Sequence, residues 1–198
     1  GRGIMLDPPP FVQSILKANA IPPSIIESII ISHCHADHDA GCFQKILESQ
    51  KVELITTKTI MNSFTRKYSA LTGMEPDLLK KLYKFRPVII GAPMIIHGAQ
   101  FRFFYSLHTI PCIGFEVYYN DQSIYFSGDT FYHPEKIFEI KSMGLISQKR
   151  YEMLANIKWN YSLIIHEAGI PPIHTPVPVL AALPKNVKER IILVHIAQ

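Results

Sequence analysis

The chain has 198 residues, is 47% hydrophobic and 18% charged, and carries a net charge of +4. That balance suits one globular domain with a sizeable core, and no Lys/Arg run marks a nucleic-acid stripe. Three cysteines in no framework spacing argue against a disulfide scaffold and for a reducing, cytoplasmic setting, and no apolar run reaches the roughly 18 residues of a membrane span.

In chain order, "GIMLDPPP" reads as a strand ending in a proline-bearing loop. "FVQSILKANA" has helical spacing, with Phe11, Val12, Ile15 and Leu16 apolar. "PPSIIESIIISH" begins with a turn and enters a β-branched strand that stops at histidines. "AGCFQKILESQ" predicts a helix and "VELITT" a strand. Residues 58–84 are expected to be mostly helical, broken around Gly73 and Pro76. "KKLYKFR" (Lys80 to Arg86) reads as a solvated helix end rather than an RNA contact. From Val88 to Ser127 the pattern turns β: "VII", "MIIHG", "QFRFFYSLH", "GFEVYYN" and "QSIYFSGD", with a hairpin turn at Asn120–Asp121. "YHPEKIFEIKSMGLISQKRYEMLANI" predicts two helical pieces, "YSLIIHEA" a strand, "PVPVLAALPKN" a proline-started helix and "ERIILVHIA" a last strand. Strands and helices interleave, with hairpins in the middle. That order predicts a mixed α/β protein rather than one parallel sheet.

Polar residues recur where these strands end. "SHCHADHDAG" (Ser32 to Gly41) is the densest case, offering His33, His35, Asp37 and His38. On an extended segment His33 and His35 point the same way, because side chains alternate with a period of two. Asp37 and His38 are expected after a bend, where they can address a second ion. His108, Asp129 and His195 each follow an apolar run and complete a set large enough for two metals.

"HCHADHDAG", "LHTIPCIGF", "FSGDT" and "LVH", in that order, resemble the motifs of the metallo-β-lactamase superfamily. The resemblance runs from about Leu6 to His195. It implies an αββα sandwich lacking its first strands, and one hydrolase domain over residues 1–198. Because the chain opens on Gly rather than Met, that domain is expected to be a piece of a longer protein. The resemblance further implies that His33, His35 and His108 hold one metal, that Asp37, His38 and His195 hold another, and that Asp129 bridges them. Zinc is the expected ion, with manganese or iron as alternatives. An Asp in the "SGDT" position resembles the hydrolase and phosphodiesterase branches.

"LIIHEAGIPPIHTP" followed by "RIILVH" is similar to the ribonuclease Z group. That similarity implies His174 as proton donor to the leaving oxygen and Glu167 as its orienting partner, while His166 is read as structural. The proline after Thr175 and the short Glu167–His174 gap depart from the group's pattern. The interval from His108 to Asp129 is filled by strand, hairpin and strand, so no tRNA-gripping arm fits there. A nucleotide or RNA-end phosphodiester remains as substrate class, with a cyclic nucleotide favoured over tRNA 3′ processing. Fused cyclic-nucleotide-binding domains are compatible partners. The expected mechanism is in-line attack by a metal-activated hydroxide, with Asp37 placed to accept its hydrogen bond and His174 as acid. Two alternatives stay open. One is a thioester or lactone hydrolase on the same metals, and the other is a metal-binding module without turnover.

Overall fold

The computed structural model describes residues 3–49 and 52–196, the side chain of Ser49 excepted. Within this span the chain divides into two compact units, with the boundary between Ala92 and Pro93.

The first unit is built on four parallel strands in the order β1-β2-β3-β4. They are β1 (Gly3–Leu6), β2 (Ile26–Ile30), β3 (Glu53–Thr56) and β4 (Lys84–Pro87). Ile29, Ile30, Ile31, Leu54 and Ile55 are buried, the continuous apolar run expected of parallel strands covered on both faces. Helices α1 (Val12–Ala18), α2 (Ala36–Ser49), α3 (Lys58–Thr72) and α4 (Pro76–Leu79) make the crossings. In α3 the buried positions Ile60, Met61, Phe64, Thr65 and Tyr68 form one stripe. The helix starts where the Thr57 side chain accepts a hydrogen bond from the Ile60 amide, and stops at Gly73, whose φ of 71° lies in the left-handed region.

Three local expectations change. Asp37 and His38 sit in the first turn of α2, which begins at Ala36, ahead of the helix start expected at Ala40. The strand expected at "VII" lies one stretch earlier, as β4. Its pairing with β3 carries on to the Val88 amide, which donates to the Thr56 carbonyl, and the chain then turns at Gly91, φ 79°. The proline-started helix is two short ones, α7 (Val177–Ala181) and α8 (Lys185–Lys188), with Pro184 capping the second.

The second unit holds a six-stranded mixed sheet in the order β10-β9-β8-β7-β6-β5. Its strands are β5 (Pro93–Ile96), β6 (Ala99–Tyr105), β7 (Ile113–Tyr119), β8 (Gln122–Phe126), β9 (Leu163–Glu167) and β10 (Ile191–Val194). β5 to β8 pair antiparallel, and β8, β9 and β10 pair parallel. The hairpin at Asn120–Asp121 has positive φ at both residues, the geometry that matches strand twist. Helices α5 (Pro134–Ser142) and α6 (Gln148–Ala155) follow β8. Tyr132, Ile137, Leu154, Ala168 and Leu180 form one core cluster, and Tyr125, Tyr161, Ile164 and Val187 another. No helix among the described residues is long and apolar enough to cross a membrane.

His166 on β9 is fully buried near the rings of Tyr125, Tyr132 and Trp159, and its Nδ1 meets the Glu167 carbonyl at 2.7 Å. Burial pushes its imidazole down to about 4, against a smaller raising effect of that carbonyl. The ring is neutral in the fold and protonates in the unfolded chain below the ordinary value of 6.5. Stability therefore falls as pH drops from 6.5 towards 4, by about 3 kcal/mol in full. Denaturant unfolding of His166→Phe across this range is expected to show a shallower acid loss than the unaltered protein.

Candidate metal centre

In the first unit the strands all run the same way, so their carboxyl ends share an edge, the usual place for ligand groups in α/β sheets. β1 and β2 are neighbours, with Leu6 opposite Ile30. This register sets Asp7, just past β1, beside Ser32, just past β2. One Asp7 oxygen accepts from the Ser32 amide at 2.7 Å. The other accepts from the Ser32 hydroxyl and lies 3.1 Å from His38 Nδ1. The Ser32 hydroxyl also meets His33 Nδ1 at 2.9 Å, and His33 Nε2 lies 3.0 Å from His35 Nδ1. His38 Nε2 is 3.4 Å from Asp37 Oδ2. Asp7, His33 and His38 present ligand atoms all within 4.8 Å of one another. Asp7 is not among the residues that the sequence motifs mark. Its only signal there was an acid at the end of a strand.

Two further contacts hold this loop. Gly41, in α2, donates its amide to the Pro8 carbonyl at 3.0 Å. A Cβ at that position would sit 2.2 Å from the Pro9 carbonyl oxygen, so only glycine lets α2 approach the segment after Asp7. On the other side, Lys67 of α3 donates to the Cys34 carbonyl at 3.0 Å and to both oxygens of Asp39 at 2.6 and 2.8 Å. The Tyr68 hydroxyl donates to Asp39 at 2.9 Å. Asp39 is fully buried. Burial pushes its carboxyl up, and Lys67 and Tyr68 pull it back down. The pair thus anchors the carbonyl that lies between His33 and His35.

In the second unit β6, β8, β9 and β10 run in one direction, which brings four chain ends to one edge. They deliver His108, Asp129, Glu167 and His195. Around Asp129 Oδ2 stand His195 Nε2 at 3.6 Å, His108 Nε2 at 4.0 Å and His174 Nδ1 at 4.0 Å. Asp129, His174 and His195 form a second group whose ligand atoms lie within 4.8 Å of one another. Gly128, φ 60°, turns the chain into Asp129, and a Cβ there would meet the Ile113 carbonyl oxygen at 2.6 Å. The loop carrying His108 is tied down by Ser106, whose hydroxyl donates to the Asp129 carbonyl at 2.7 Å, and by Arg150 of α6, which donates to the Tyr105 and Ser106 carbonyls.

Glu167 ends β9, 1% exposed. Its Oε1 accepts from the Thr130 and Thr175 amides at 3.0 and 2.9 Å, and its Oε2 lies 3.2 Å from His174 Nδ1. Burial, the largest influence, raises its carboxyl to about 7. The two amides and His195 oppose that shift, and Asp129 adds to it. A carboxylate fixed by two backbone amides and turned to an imidazole can orient that ring and set its tautomer.

The donors fit a divalent ion. Neutral imidazoles with carboxylates are the set that holds zinc, and manganese or iron(II) accept it too. The imidazole of His33 is buried and held from its other nitrogen by Ser32, as a ligand histidine requires.

The sequence model of the family described as "Anti-Pycsar protein Apyc1" matches residues 1–149. Among curated proteins, the "cGMP-dependent 3′,5′-cGMP phosphodiesterase A" of Dictyostelium discoideum is 52% identical over 197 residues, which are 100% of this chain and 23% of that protein. The "cAMP/cGMP-dependent 3′,5′-cAMP/cGMP phosphodiesterase B" of the same organism is 45% identical over 195 residues, 98% of this chain and 18% of that protein. The chain thus spans less than a quarter of the length of these relatives. Among solved structures, the metallo-β-lactamase fold protein YhfI from Bacillus subtilis aligns with a TM-score of 0.71 at 15% identity, over 98% of this chain and 75% of its own. Human tRNase Z, short form, aligns at 0.61 with 18% identity, over 98% and 81%. The α/β metallo-β-lactamase fold expected from the motifs is therefore the fold of this chain.

The Lys67–Asp39 pair is open to a direct test. Lys67→Met leaves a buried carboxylate uncompensated and is expected to lower unfolding stability by about 3 kcal/mol, the low end of the range because Lys67 is partly exposed. Adding Asp39→Asn to Lys67→Met should restore most of that loss in urea unfolding.

Proposed function

The chain belongs to the Anti-Pycsar protein Apyc1 family, and from that premise we propose that it is the catalytic part of a metal-dependent phosphodiesterase acting on a 3′,5′-cyclic nucleotide. The observation that carries the reading is the Glu167–His174 pair beside Asp129 and His195. An imidazole held by a buried carboxylate next to metal-type donors is what protonation of a leaving alkoxide calls for. The two relatives named as cyclic-nucleotide phosphodiesterases, at 52% and 45% identity, support the substrate class. Both names carry a cyclic-nucleotide dependence, and both proteins are several times longer than this chain. We therefore also propose fused cyclic-nucleotide-binding domains as its partners, and the cytoplasm, where such nucleotides are made and read, as its location.

His33, His35, Asp37, His38, His108, Asp129 and His195 are the proposed ligands of two divalent ions, with zinc first. His33, His35 and His108 would hold one ion and Asp37, His38 and His195 the other, with Asp129 available to either, in one hydrolase domain made by the whole chain. When bound, such ions supply Lewis acidity to the phosphoryl oxygens and an activated water at neutral pH. Asp7, through Ser32 and His38, holds ligand side chains rather than metal. Asp37, exposed at the start of α2, accepts the proton-side hydrogen bond of the attacking water. His174 Nδ1 faces Glu167, which leaves Nε2 to carry the proton to the departing oxygen.

The test is hydrolysis of cyclic GMP and cyclic AMP by the zinc-loaded protein, with product identity determined. Turnover to the 5′-monophosphate is expected. His174→Ala should lower kcat by about a hundred-fold or more with little change in KM, and His35→Ala should lose metal and activity together. A protein that binds two ions, spares both cyclic nucleotides and cleaves a thioester or lactone instead would overturn the reading.

A further inference from the structure

Beside His174 and His195 lies a cavity of about 330 Å³, lined by Gly169, Ile170, His174, His195 and Ile196. Its volume is at the small end of the roughly 300–1,000 Å³ typical of ligand sites. Among the described residues, its walls carry no lysine, arginine, aspartate or glutamate. Two of them, Ile170 and Ile196, are large apolar side chains left 68% and 53% exposed. Isoleucines open to water next to a polar catalytic group are worth explaining, because apolar surface gathered at one place marks a binding surface.

Their position is held. Gly169 donates its amide to the Thr175 carbonyl at 2.9 Å, and the His174 amide donates to the Ile170 carbonyl at 3.2 Å. The loop 169–175 is therefore closed on itself. A Cβ on Gly169 would lie 2.8 Å from the His174 Cβ, so the loop packs directly on the histidine. Ile170 cannot drift from His174 without breaking these contacts.

We propose that this cavity seats the nucleobase side of the substrate, with Ile170 and Ile196 as its apolar walls. The inference rests on the phosphodiesterase reading and extends it to a subsite. The walls decide the occupant. Any molecule in the cavity touches the group that protonates the leaving oxygen, so the leaving-group side of the phosphodiester points here. His174 and His195 form the side of the cavity that meets the phosphodiester, whereas Gly169, Ile170 and Ile196 offer no charge and suit a flat, uncharged ring that presents its faces. In a 3′,5′-cyclic nucleotide the departing 3′ oxygen stays on the ribose that carries the base, so the base remains tethered within one sugar of the group that protonates that oxygen.

The experiment uses three probes: cyclic GMP, a base-free ribose 3′,5′-cyclic phosphate, and guanosine. Steady-state kinetics are expected to give the base-free substrate a KM at least about ten-fold above that of cyclic GMP. Ile170→Ser and Ile196→Ser should each shrink the ratio of kcat/KM between the two substrates by about ten-fold, chiefly through KM. Calorimetric binding of guanosine should weaken in the same variants. Leu145→Ser, at a comparably exposed leucine in the α5–α6 connection, should leave that ratio unchanged. Equal losses on both substrates, guanosine binding indifferent to Ile170, or a change in self-association without a change in KM would each overturn the base seat. If neither phosphodiester is turned over but guanosine binds in an Ile170-dependent way, the seat stands and the phosphodiesterase reading falls. If cyclic GMP is hydrolysed with a KM blind to Ile170, the reverse holds.

Discussion

Strand direction is the constraint on which the rest of this structure depends. Strands that run the same way end at the same edge, and a polar residue placed just after each end arrives there without any further device. In the first unit that applies to β1 and β2, which deliver Asp7 and His33. In the second it applies to β6, β8, β9 and β10, which deliver His108, Asp129, Glu167 and His195. Loops carry the chemistry, but hydrogen-bonded ladders set where each loop starts, so the positioning is as rigid as the sheet.

Charge at such an edge has to be held against the cost of leaving water. The chain does so mainly with backbone donors. Glu167 rests on the amides of Thr130 and Thr175, and Asp7 on the amide of Ser32. Amides belonging to structured segments do not reorient, which makes them good partners for a group that must keep one direction. Asp39 is the exception, matched by a lysine and a tyrosine. There the partner does two tasks at once, because Lys67 also reaches the Cys34 carbonyl. Breaking a pair of this kind harms more than the pair stabilises, so its value lies in fixing one loop conformation.

Much of this was legible from sequence. "SHCHADHDAG", "SGDT" and "LVH" carry chemistry in a short span, and the apolar runs before them read as strands. The pairing of Glu167 with His174 was also expected from "HEAGIPPIHT", and the two side chains do meet. What escaped was whatever depends on register. Asp7 in "LDPPP" looks like any turn aspartate until Leu6 is known to face Ile30. Lys67 lies in a helix whose pattern gives no hint that a lysine turns inward. Histidines are weak helix formers, so the start of α2 is masked in the sequence, whereas Asp37 and Asp39 favour its first turn by their charge. "VII" has β propensity but lies where Gly91 turns the chain, so only Val88 extends the β3–β4 pairing.

The one-sided layout has a consequence for how the chain tolerates change. Connections that enter strands lie at the opposite edge from those that leave them. Asn19 to Pro22, between α1 and the turn leading into β2, belongs to that quieter edge. Extra residues there would lengthen a crossing and leave the β1–β2 register, and with it every donor past the strand ends, where it was. A single residue added between Ile30 and His33 would instead swap which side of the strand each donor faces. Insertions and deletions should therefore accumulate unevenly around the first unit's sheet, dense at one edge and excluded from the other.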